Sequence, residues 1–164
     1  MPIPVSADIR RNLGYVARQV RVAKDRDADV VHFPEGALLG YAGVDFDSFA
    51  EFDWAGLRSA TRRVLEVARE SRIWVVLGSA HELGAGNKPH HSLYVIDEAG
   101  CLVERYDKRF CGGKQDECVG DFAHYSPGDH LSTWDLNGLR RGALICYDYR
   151  FPELYREYAK AVCG

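Results

Sequence analysis

A short apolar run that stops at a cysteine constrains this chain most. Gly142-Ala143-Leu144-Ile145 leads into Cys146, and Tyr147-Asp148-Tyr149-Arg150-Phe151-Pro152-Glu153 follows. Polar residues and a proline arrive at once, and a helical pattern begins near Phe151. The run predicts a buried strand that carries a thiol to its carboxyl end, beside a helix N-terminus. Open α/β sheets gather ligand chemistry at that edge. The partial positive charge of a helix terminus predicts a thiol shifted toward thiolate, the nucleophilic form.

Upstream, apolar residues recur at helical spacing from Ala7 to Asp27 (Ile9, Leu13, Val16, Val20, Ala23), with Ser6 or Asp8 as the cap. Asp29 to Phe33 reads as a buried strand stopped by Pro34, and Gly36 to Asp53 as loop. A second helix is predicted from about Ala55 to Ser71, and a strand from Ile73 to Gly78. Ser92–Ile96 and Cys101–Tyr106 flank a turn of Asp and Gly type, the pattern of a hairpin. Lys108 to Gly128 is long, polar and glycine-rich, and loops of that length within a domain tend to be functional. Leu131–Leu136 and Arg141–Ile145 predict a second hairpin around Asn137-Gly138. The last helix starts near Phe151 and is still running at Ala161. This order predicts a mixed sheet with helices on one face. The other face must also be covered, because the strands are apolar on both sides.

Composition excludes several classes. At 164 residues, 46% of them hydrophobic, the chain can bury a core and fits one domain, residues 1–164. The net charge of −3 is spread over interspersed signs, which argues against nucleic acid and against a basic membrane-binding face. Apolar runs of a few residues span no bilayer. Met1-Pro2-Ile3-Pro4-Val5 has no signal-peptide character, so a cytoplasmic location is expected. Five cysteines (Cys101, Cys111, Cys118, Cys146, Cys163) make an odd set and argue against a disulfide framework. Cys111, Cys118 and His124 match no zinc spacing, and no metal is expected.

Three polar residues directly follow apolar strands: Glu35, Lys108 and Cys146. Each has an ordinary reading, as a solvated loop carboxylate, a surface charge and a core thiol. Together they predict strand ends converging on one site.

These three segments resemble those of the nitrilase superfamily, the carbon–nitrogen hydrolases. Phe33-Pro34-Glu35 with Gly40-Tyr41 resembles the family's glutamate segment, Arg105-Tyr106-Asp107-Lys108 its lysine segment, and Cys146 through Leu154 its nucleophile segment. Order and spacing fit. Asn12 and Ser126-Pro127-Gly128-Asp129 are smaller matches. The resemblance implies an α-β-β-α sandwich with a mixed sheet and a cofactor-free hydrolysis of amides or N-carbamoyl amides through a cysteine thioester. It implies Glu35 as general base, Cys146 as nucleophile, and Lys108 with the Tyr147 backbone N–H as oxyanion donors. A second family glutamate points to Glu117, with Asp116 and Asp121 as alternatives. Tyr147-Asp148 after the cysteine, where family nitrilases commonly carry Trp-Glu, points to the amidase and carbamoyl-amide branches. Asp148, Arg150 and Glu153 read as structural. Arg150 is also a candidate partner for a substrate carboxylate. Family members associate, so a homo-oligomer is expected.

Two departures from the family stand out. Its first strand has no counterpart in Met1–Val5, and its later strands and helices, which complete the sheet and one pocket wall, lie beyond Gly164. The expected fold is therefore incomplete at both places. Three functions follow: an amidase read as part of a longer or multi-chain product, an inactive remnant or interaction module that keeps the triad, or a thiol-redox protein. The last has no Cys-x-x-Cys or resolving cysteine nearby in sequence.

Overall fold

Two amphipathic helices and the strands between them build one side of the molecule, as the periodicity predicts. The computed structural model describes residues 5–84 and 86–163, so the expectations about Met1–Pro4 and the Cys163 side chain fall outside what is described here. Helix α1 (Ile9–Lys24) is capped by Asp8, whose carboxylate accepts from the Arg11 N–H at 3.0 Å. Helix α2 (Trp54–Ser71) is capped by Asp53, which accepts from the Gly56 N–H at 2.8 Å. Such a cap is worth about 1 kcal/mol. α2 closes on Arg72 in the left-handed region at φ 50°. Asn12, fully buried in α1, donates to the Ser6 carbonyl at 2.6 Å and accepts from the Ser6 hydroxyl. It fastens the entering chain to the helix.

The main sheet has four strands in the order β1 (Val30–His32), β2 (Trp74–His81), β3 (His90–Ile96) and β4 (Leu102–Asp107). β1 and β2 run parallel, joined through α2, and the remaining pairs are antiparallel. The sheet is thus mixed, and β2 runs three residues past the predicted end at Gly78. Alternation along β2 sends Val75 and Leu77 into the helix-side core and Val76 into a second core on the opposite face. There a hairpin, β7 (Thr133–Leu136) and β8 (Leu139–Gly142), contributes Trp134 and Leu136. Helix α4 (Pro152–Cys163) lies beyond it, with the Tyr158 hydroxyl donating to the Ala143 carbonyl at 2.8 Å. Helices, sheet, hairpin and helix follow one another as layers of an α/β sandwich.

Two local expectations are corrected. Ala143-Leu144-Ile145 is not a strand; β8 ends at Gly142. The backbone there is spent on side chains, since the Ile145 N–H donates to Asp148 (3.0 Å) and the Ala143 carbonyl accepts from Tyr158. The stretch from Lys108 to Gly128 is not all loop. It holds a two-residue hairpin, β5 (Gly113–Lys114) with β6 (Val119–Gly120), and one helical turn, α3 (Asp121–His124).

Candidate active site

Glu35 follows β1 in a turn that crosses the middle of β2. The turn sits so close that a Cβ on Gly78 would lie 2.0 Å from the Pro34 carbonyl oxygen. Only glycine permits that approach, and Leu38 N–H closes it by donating to the Gly78 carbonyl at 3.2 Å. Lys108 leaves β4 with its N–H on the His91 carbonyl and its carbonyl on the Gly128 N–H, both at 2.8 Å. Gly128 belongs to the Ser126–Asp129 motif. An added Cβ there would meet the Asp107 carbonyl at 2.4 Å, so the motif clamps the lysine segment from outside.

Cys146 opens a 3-10 turn, Cys146–Arg150, in the left-handed region at φ 47°. The fully buried Asp148 holds this turn: its carboxylate accepts from the Ile145 and Phe110 N–H groups and from the Tyr106 hydroxyl, at 3.0, 2.8 and 2.8 Å. The structural role expected of Asp148 is thereby explained. It ties the Cys146 turn to the segment that follows Lys108.

Glu35, Lys108 and Cys146 do converge, although Cys146 follows an irregular stretch and not a strand end. The Lys108 ammonium, 2% exposed, donates to Glu35 Oε1 at 3.0 Å and to Asp121 Oδ2 at 2.8 Å. An ammonium has three donors, so one is left over among the described residues. Burial alone would pull the lysine pKa down. The hydrogen bonds and charges of Asp121 and Glu35 outweigh it and hold the amine above the ordinary lysine value. Burial pushes Asp121 up, but its bonds from Lys108, the Tyr41 hydroxyl and the Gly112 N–H win and keep it below the usual carboxylate range. The Tyr41 hydroxyl is driven well above its ordinary value by burial and by this bond.

The Cys146 thiol is also raised, by burial first and by the charge of Glu35 next, with Lys108 opposing. The predicted shift toward thiolate therefore does not occur in the resting site. A five-residue 3-10 turn carries little dipole, and two carboxylates around one ammonium leave the surroundings net negative. The proton rests on sulfur, with Glu35 acting on it as both charge and hydrogen-bond acceptor.

Glu117 stands apart. It is exposed and paired with Lys114 on the β5–β6 hairpin. That hairpin turns the chain back so that Asp121, the weighed alternative, reaches Lys108. Arg150 is exposed, with its guanidinium 5.6 Å from the centroid of the Tyr147 ring, and Glu153 pairs with Arg156 at 3.6 Å on the surface. Sequence reading missed His91 and placed Tyr41 only in the stretch that resembles the family's glutamate segment. A histidine pair, His90-His91, directly before Ser92 and the apolar Leu93–Ile96 run was the available signal. Cys111 is buried, its thiol raised to about 11 by burial, and Cys101 and Cys118 are free and exposed. Among the described residues no three metal-ligating side chains come together, and no helix is long and apolar enough to cross a membrane.

The family model for carbon-nitrogen hydrolases matches residues 1–162. Omega-amidase NIT2 of Homo sapiens is 34% identical over 149 residues, covering 88% of this chain and 52% of that protein. The 2-oxoglutaramate amidase of Bacillus subtilis (strain 168) is 28% identical over 135 residues, covering 82% of this chain and 49% of that one. The chain thus spans about half the length of the curated relatives it matches. A crystal structure of an amidase from Nesterenkonia sp. shares the fold at a TM-score of 0.78 and 23% identity, over 92% of this chain and 55% of that one.

Proposed function

We propose that this chain, which belongs to the carbon–nitrogen hydrolase family, carries the thiol, base and oxyanion donor of an amidase. The observation that carries this reading is the Lys108 ammonium held between Glu35 and Asp121 with Glu35 facing the Cys146 thiol. An amide carbonyl is a poor electrophile, so sulfur must lose its proton as it attacks and the developing oxyanion must be met by fixed donors. Glu35 takes the thiol proton. Cys146 adds to the carbonyl, and the oxyanion is held by the third Lys108 donor and the Tyr147 backbone N–H. Glu35 returns the proton to nitrogen, ammonia or an amine leaves, and a thioester remains. Glu35 then activates water, which releases the acid and restores the thiol. Asp121 takes the place in this scheme that the resemblance gives to a second glutamate: it holds the ammonium charged and in position.

Relatives named omega-amidase and 2-oxoglutaramate amidase make a terminal amide on an acidic substrate the first class to try. Arg150, exposed beside Tyr147, is the cation that supports this choice. The test is ammonia release from 2-oxoglutaramate, simple aliphatic amides and N-carbamoyl compounds, with Cys146→Ala as control. Release that vanishes in the variant, with an unchanged melting temperature, supports the reading. Release that survives Cys146→Ala overturns it.

A second reading is an interaction module without turnover. It is favoured by a cleft of about 470 Å³ between β1 and the hairpin, lined by Val30, Trp134, Leu136, Leu144 and Tyr149. In either reading we infer that further polypeptide, in the same chain or a second copy, covers that cleft. A folded chain without turnover that gains ammonia release when the remaining half of a relative-length chain is supplied would favour the amidase over the module.

A further inference from the structure

His91 has been given no task so far, and its surroundings are unusual. It lies on β3 at 2% exposure, and among the described residues neither ring nitrogen has a hydrogen-bond partner. An unpaired buried polar atom costs about 1–3 kcal/mol, so such a side chain in an otherwise satisfied cluster calls for a reason. Its ring stacks on Tyr125 (centroids 4.7 Å apart, 17° between planes) and meets Tyr41 edge-on at 5.1 Å. The Tyr125 hydroxyl accepts from the Ala42 N–H at 3.1 Å and makes no bond to the imidazole. Two aromatic rings therefore fix the plane of the imidazole. Nδ1 stands 3.3 Å from Glu35 Oε1, the oxygen that also receives Lys108. Burial, with help from the Lys108 charge, lowers the pKa of this histidine to about 3, so the ring is neutral.

We propose that His91 is a positioning residue for Glu35: its Nδ1–H anchors Oε1 and so aims the other carboxylate oxygen at the Cys146 thiol. The proposal rests on the amidase reading in one respect, that Glu35 takes the proton of Cys146. The logic is electrostatic. Glu35 already faces one cation, and a second would make it a poor base. A neutral donor fixes the carboxylate without adding charge. A separation of 3.3 Å suits a loose contact of this kind, since catalytic hydrogen bonds are commonly long in unliganded enzymes.

The test follows alkylation of Cys146 by iodoacetamide in the full 164-residue chain, resolved from the other cysteines by peptide mass spectrometry, as a function of pH. With Glu35 as base, the wild-type thiol reacts near neutral pH, well below its own titration, and Glu35→Gln loses that neutral-pH branch. His91→Phe keeps the volume and the stack on Tyr125 but has no donor. It is expected to lose about tenfold of the neutral-pH branch, the size of one hydrogen bond. His91→Asn, whose amide can donate from nearly the same place, restores it. An unchanged profile in His91→Phe beside a changed one in Glu35→Gln overturns the His91 proposal and leaves the amidase reading standing. Absence of the branch in the wild type overturns both. Equal losses in His91→Phe and His91→Asn reduce His91 to packing and overturn the proposal. A measurement that needs no variant is the imidazole tautomer by nitrogen-15 NMR: protonated Nδ1 is expected, and protonated Nε2 with bare Nδ1 overturns it.

Discussion

On the helix side of the main sheet, Ile73, Val75 and Leu77 are fully buried together with Val16 of α1 and Val64 of α2. On the hairpin side the buried set is smaller. Tyr149, Tyr155 and Leu139 stay exposed, the Trp134 indole N–H has no partner among the described residues, and a cleft of about 470 Å³ remains. One face is an ordinary core, closed by local sequence. The other is left open toward the segment that carries Cys146. The residues of the proposed mechanism sit on the seam between them. Glu35 comes from the turn that crosses β2, Lys108 from the end of β4, and Cys146 from the far end of the hairpin. A reactive group placed on a closed face would have no access. On the open face alone it would have no rigid partners.

This contrast can be broken from several directions. The largest effect is expected at the seam, where Lys108→Ala should lower ammonia release by about 10²–10³-fold, the usual loss for one oxyanion donor. Steady-state turnover measures it, and a near-normal rate would remove Lys108 from the proposed mechanism. Next come the two faces themselves. Leu77→Ala on the closed side should cost about 4 kcal/mol and Leu136→Ala on the open side about 2 kcal/mol, because the cost of truncation grows with the cavity that cannot collapse. Urea unfolding compares them, and equal losses would mean that the hairpin side is as tightly built.

The seam should also titrate. The unfolded chain binds a proton at His91 below its ordinary 6.5, whereas the folded chain does so only near about 3. The His91 contribution to stability is therefore complete above about 6.5 and falls as pH drops toward 3, with a slope of up to about 1.4 kcal/mol per pH unit. Asp121, whose pKa is depressed, adds a loss of the same sign only below its ordinary carboxylate value. His91→Asn should flatten the upper window and leave the lower one, as chemical denaturation across pH would reveal. The smallest effect is expected for Trp134→Phe. Removing an unpaired buried donor offsets the lost contact, so stability should change by less than about 1 kcal/mol.

Much of this was legible in the chain. The 3.6-residue spacing in α1 and α2, the turn chemistry at Asp97-Glu98-Ala99-Gly100 and the order of Glu35, Lys108 and Cys146 named the elements and the convergence. What sequence could not rank was the set of carboxylates after Lys108. Glu117 and Asp121 are four residues apart in one polar loop, and only the β5–β6 hairpin decides which returns to the lysine. The state of the thiol was misjudged for a similar reason. Helix-terminus charge can be anticipated from local sequence, but the opposing field of Glu35 and Asp121 comes from across the fold. His91 escaped notice because its meaning depends on Tyr41 and Tyr125, which pack on it from distant segments.

The left-handed backbone at Cys146 sets stability and chemistry against each other. A residue with a Cβ pays about 1–2 kcal/mol at φ 47°, and glycine pays almost nothing. The substitution this position most favours on backbone grounds is therefore the one that deletes the proposed nucleophile. A library of variants sorted by heat tolerance alone would enrich Cys146→Gly and discard the thiol. Under the proposed amidase chemistry, retention of cysteine there needs selection on turnover itself.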